Sequence, residues 1–125
     1  MEKIVLDTNI LIEILKNNVS VVSSFHQISS KFAISSISCM ELYYGARDKK
    51  ELQELKKFIT FFDTIELDAT ISKTATLLIE NYAKSHNLTI PDALIAATAL
   101  RYNYPLWTLN IKDFHYIEGL NLANQ

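Results

Sequence analysis

The chain has 125 residues, 49% of them apolar, and a formal net charge of −2. That length suits one domain, read as residues 1–125, with a radius of gyration of about 14 Å and a core that needs neither disulfides nor a structural metal. The charge argues against a domain that holds nucleic acid by bulk electrostatics. Cys39 stands alone, which excludes an intrachain disulfide and a cysteine-built zinc site, and no apolar run approaches the ~20 residues of a membrane helix.

Taken in chain order, "KIVLD" (3–7) predicts a buried strand. It begins with no charged leader ahead of it, so a cytoplasmic protein is expected. "NILIEILKN" follows with helical spacing, Ile10 and Ile14, Leu11 and Leu15 lying four apart. "SVVSSFHQIS" places Val21, Phe25 and Ile28 on one helical face. "FAISS" (32–36) is the second strand, followed by helices in "SCMELYYGA" and "KELQELKKFITFF". The stretch Arg47–Lys57 carries five positive and three negative side chains, the pattern of a solvated helix face with pairing across turns. "TIEL" (64–67) is the third strand, and "TISKTATLLIENYAKSH" and "PDALIAATALRYN" are helices. The last of these bears a small-residue stripe of Ala93, Ala96, Ala97 and Leu100. "PLWTL" (105–109) is the fourth strand, and a short fifth is expected near Leu120 to Leu122. Strands alternating with helices predict a three-layer α/β/α domain with a central parallel sheet of four to five strands.

In such sheets, sites form beyond the carboxyl ends of strands. Asp7 ends the first strand, Glu41 falls in the first turn of the helix after "FAISS", and Asp92 opens the "PDALIAATAL" helix. Each has a structural alternative. Asp7 is a candidate helix N-cap, Ser38 with Glu41 spells a capping box, and Thr89 with Asp92 spells a similar pair. Brought to one edge, three carboxylates ~4 Å apart would repel by about 4 kcal/mol per ionised pair at an effective dielectric near 20. Such a cluster persists by taking up protons or sharing a cation. Oxygen donors alone select Mg²⁺ or Mn²⁺ over zinc, and such sites suit phosphodiester hydrolysis. "WTLNIKDF" adds Thr108, Asn110 and Asp113 after the fourth strand, with a turn residue as the alternative for Asp113.

"LDTNILIEIL", "ISCMELYYGA", "PDALIAATAL" and "LWTLNIKDF", in this order and over nearly the whole chain, resemble the PIN-domain family, and within it the VapC-type toxins of toxin–antitoxin pairs. The resemblance implies that Asp7, Glu41 and Asp92 ligate Mg²⁺ or Mn²⁺. It implies that Thr8 and Asn9 orient the first acid and that Thr108 helps hold the site. Many relatives have an Asp at the position of Asn110 and an acid or His at that of Asp113, so both are candidates for the fourth group. It further implies an RNA substrate, a cognate antitoxin seated in a groove near the acids, and a homodimer.

His26, His86 and His115 form no nucleophile arrangement, and His26 is read as a packed side chain. Tyr43 and Tyr44 are read as packing residues, with base stacking as their functional alternative. The leading function is a metal-dependent endoribonuclease that works without a covalent intermediate. One rival is a catalytically silent binding module acting with an antitoxin in a DNA-bound regulatory complex. A haloacid dehalogenase-type phosphatase would need a second Asp where Asn9 stands.

Overall fold

A computed structural model describes residues 2–27 and 31–123. The elements run β1 (Lys3–Leu6), α1 (Thr8–Leu15), α2 (Val19–Gln27), β2 (Lys31–Ser35), α3 (Ser36–Tyr44), α4 (Lys49–Ile59), β3 (Asp63–Ile65), α5 (Ala69–His86), α6 (Ile90–Tyr102) and β4 (Leu106–Trp107), then a 3-10 turn at Ile111–Asp113. The strands form one sheet in the order β3-β2-β1-β4, all pairs parallel. Val5 lies opposite Ala33 and Leu106, and Ala33 opposite Asp63. The expected fifth strand shrinks to a single parallel bridge from Leu122 to Leu106, flanked by bonds from Leu106 N to Asn121 O and from Ala123 N to Leu106 O.

Alternation along the strands sorts the core onto two faces. Val5 and Leu106 turn to one side and pack with Ile71, Ala75, Ala93, Ala96, Phe114 and Ile117 under α5 and α6. Ile4, Leu6, Ile34 and Trp107 turn to the other and meet Ile10, Leu11, Leu42, Leu55 and Ile59 from α1, α3 and α4. Both faces are covered, so the predicted three-layer α/β/α architecture is the one observed. The small-residue stripe explains how α6 sits so close to the sheet. Ala93, Ala96 and Ala97 are fully buried, while Leu100 is partly buried at the margin.

Several boundaries differ from those predicted. The helix after the second strand begins at Ser36, two residues before "SCMELYYGA", because Ser35 ends β2 and itself caps α3 by accepting from Ile37 N. Glu41 therefore stands in the second turn, and Ser38 is not its cap partner. β4 is only Leu106–Trp107, and Thr108, expected within the strand, follows its end with its side chain on Asp7. Helix α4 ends at Ile59, leaving Phe61 exposed while Phe62 packs edge-on against Phe58 and Phe25. Arg47 lies before the Asp48 cap of α4 and pairs with Glu51 in the helix's first turn, so this ion pair sits at the helix start rather than along its face. His26 is exposed, with its ring edge-on to Phe25 at 5.7 Å. Tyr43 is partly buried against the α1–α4 core, but Tyr44 is 94% exposed and packs nothing. Ile28 lies outside the described residues. Among the described residues no helix is long and apolar enough to cross a membrane.

Candidate active site

The parallel register sets the site. Asp7 N donates to Trp107 O at 2.9 Å, which extends the β1–β4 ladder by one residue and brings Thr108 level with the Asp7 side chain. Asp7 is buried, and each carboxylate oxygen has a donor. Thr8 N donates to Oδ1 and the Thr108 hydroxyl to Oδ2, both at 2.8 Å. The first bond is also the N-cap of α1, so the cap and the site use one side chain. Asn9 ties the same edge together. Its Nδ2 donates to Thr108 Oγ1 at 3.5 Å, and its Oδ1 accepts from Leu109 N at 3.3 Å.

Glu41 comes from the neighbouring strand–helix junction. Thr8 Oγ1 donates to Glu41 Oε1 at 2.7 Å and lies 2.8 Å from Ser38 Oγ. Asp92 sits in the first turn of α6, where Thr89 caps the helix by accepting from Asp92 N at 3.4 Å. That capping alternative for Thr89 holds, and the Thr89 side chain also hydrogen-bonds the Asp92 carboxylate, which favours its charged form against burial. Asp113 stands on the exposed 3-10 turn. Asn110 enters through its backbone, its N–H donating to Thr108 Oγ1 at 3.0 Å.

The four acids share one electrostatic environment. Burial raises the Asp92 carboxyl from its ordinary value to about 6, and the charges of Asp7, Asp113 and Glu41 push the same way. Asp7 is also raised, by burial first and then by Glu41 and Asp113, against the bonds from Thr108 and Thr8 that favour its charged form. Among the described residues none of the four is in an ion pair, since the basic partners go to Asp63, Glu13, Glu51 and Asp68. Nor do any three of the described His, Cys, Asp and Glu side chains already stand in a closed metal-binding group. The donors are all oxygens and their charges repel, the chemistry of a hard divalent cation site rather than a zinc site. The sequence reading of Ser38 as a cap missed its place behind Thr8. The β1–β2 register, which sets Val5 opposite Ala33 and so brings the starts of α1 and α3 together, is the signal that could have revealed it.

Beside Glu41 a groove of about 620 Å³ runs between α1, α3 and α4, lined by Ile12, Leu15, Leu42 and Leu55 with Lys16 and Arg47 among its polar residues. Ile12 and Leu15 are exposed there.

The model of the PIN domain matches residues 4–119. A tRNA(fMet)-specific endonuclease VapC from Shigella flexneri is 31% identical over 126 residues, covering 96% of each chain. A chain in a toxin–antitoxin complex from Klebsiella pneumoniae is 30% identical, with a TM-score of 0.79 over 93% of both chains. A chain of DNA-bound VapBC from Salmonella typhimurium is 27% identical, with a TM-score of 0.85 over 98% of both chains.

Proposed function

The chain belongs to the PIN-domain family, and we propose that it is a divalent-metal-dependent endoribonuclease, the toxin of a toxin–antitoxin pair. The observation that carries this reading is that four carboxylates near the strand ends, none in an ion pair among the described residues, act on one another, burial first and then the charges of the other three raising Asp92 to about 6. The family match from residue 4 to residue 119 supports a single domain over 1–125.

In this proposal Asp7, Glu41, Asp92 and Asp113 hold Mg²⁺ or Mn²⁺. When bound, the ion polarises the phosphoryl oxygen and lowers the pKa of an attacking water. The protein's own part is to fix the acids. Thr108 and the Thr8 N–H orient Asp7, the Thr8 hydroxyl orients Glu41, and Asn9 locks the loop after β4 onto the start of α1. Water adds to phosphorus, the bond to the 3′-oxygen breaks, and that oxygen leaves with a proton.

The relatives found in toxin–antitoxin complexes support a protein partner. Its seat in this proposal is the apolar groove beside Glu41, because an occupant there abuts a site acid and can block the edge. Exposed Met40, Tyr44, Leu77 and Ile90 leave apolar surface for a second copy, and a homodimer in the cytoplasm belongs to the same reading. A silent binding module is disfavoured because Asp7, Glu41 and Asp92 are all present and held.

The test is to incubate the purified chain with transfer, ribosomal and messenger RNAs in Mg²⁺, Mn²⁺ or EDTA and to analyse the ends produced. Metal-dependent cuts bearing 5′-phosphate and 3′-hydroxyl ends are expected. Cuts in EDTA that leave 2′,3′-cyclic phosphates would overturn the proposal.

A further inference from the structure

Ser38 is fully buried in the third position of α3, one turn before Glu41 and on the same helix face. Its hydroxyl lies 2.8 Å from Thr8 Oγ1, and Thr8 Oγ1 lies 2.7 Å from Glu41 Oε1. The direction of the chain of bonds follows from proton count. An ionised carboxylate only accepts, and a threonine hydroxyl has one proton to give. Thr8 therefore donates to Glu41, which leaves its oxygen as the acceptor for the Ser38 proton. Ser38 does not touch the carboxylate. It fixes the hydroxyl rotor of Thr8, and with it the oxygen of an otherwise exposed glutamate. Thr8 also holds Asp7 through its backbone N–H at 2.8 Å, so one residue couples two acids from two junctions.

We propose that Ser38 is a positioning residue for the acidic edge, holding Glu41 in its metal-binding orientation through Thr8. The inference rests on Glu41 being a metal ligand. Groups behind the ligands of a metal site typically set affinity or activity by about 10–100-fold. A link once removed is expected at the lower end of that range. Alanine at position 38 fills nearly the volume of serine and keeps the fold, while threonine keeps the hydroxyl.

The experiment is Mn²⁺ titration by electron paramagnetic resonance and calorimetry, with RNA cleavage measured in parallel. It compares wild type, Ser38→Ala, Ser38→Thr, Thr8→Val and the Ser38→Ala/Thr8→Val double variant, with Asp7→Asn as the control. Ser38→Ala is expected to weaken Mn²⁺ binding about tenfold, and Ser38→Thr to restore it. In the Thr8→Val background Ser38→Ala is expected to cause no further loss, because the link it acts through is gone. A general packing defect would persist in that background and would overturn the inference. So would Ser38→Ala binding Mn²⁺ as tightly as wild type. If wild type binds no more Mn²⁺ than Asp7→Asn, the reading of the acids as a metal site fails, and the inference falls with it.

Discussion

Asp92 shows how far burial and neighbouring charge alter one side chain. Its carboxyl stands at about 6 against an ordinary 3.8, so the metal-free folded protein binds this proton more tightly than the unfolded chain does. That contribution favours the fold fully below about pH 3.8 and is lost as pH rises through about 6. A divalent cation competes with the proton for the same carboxylates. Mn²⁺ is therefore expected to raise the melting temperature more at about pH 7.5 than at about pH 5, as thermal denaturation at both pH values would measure. An equal gain at both would contradict the shared-site account. The fourth position is decided by a similar comparison. Asp113 pushes on both Asp7 and Asp92, whereas Asn110 donates its backbone N–H to Thr108. Asp113→Asn should weaken Mn²⁺ binding about tenfold or more, with Asn110→Ala close to wild type in the same titration. The reverse order would make Asn110 the fourth group.

Among the elements, what the sequence discloses is the alternation itself. The continuous apolar run of "KIVLD" and the period-3.6 pattern of "TISKTATLLIENYAKSH" survive as β1 and α5, because β1 is buried on both sheet faces and α5 on one side. What it hides are junctions without loops. β2 passes into α3 with no residue between them, so Ser35 does the capping and the S-x-x-E spelled by Ser38 and Glu41 misleads. The 3-10 turn that bears Asp113 is three residues long and leaves no periodic signal. Asp7, Glu41 and Asp92 were visible because strand ends are where sites form, whereas the Thr8–Ser38 link depends on strand register. The alanines of α6 were legible as a stripe, and their full burial makes that stripe a packing constraint. Ala96→Leu has no free volume to enter and should cost about 1–3 kcal/mol in chemical denaturation. A variant as stable as wild type would show that α6 can move off the sheet without penalty.

Across the whole molecule, two sites meet at Glu41. The acidic edge lies beyond the carboxyl ends of β1, β2 and β4, and the apolar groove opens from the same glutamate towards α1 and α4. Catalysis and neutralisation by a partner therefore share one boundary residue in the proposed function, which gives a bound partner a direct way to silence the edge. The whole account depends on the acids doing metal chemistry on RNA. The measurement that tests this most directly is cleavage of an RNA panel by wild type and by Asp7→Asn of matched melting temperature, each with Mg²⁺, Mn²⁺ or EDTA. The account predicts cutting by wild type only when metal is present and none by Asp7→Asn under any condition. Equal cutting by both proteins, or cutting by wild type that persists undiminished in EDTA, would contradict it.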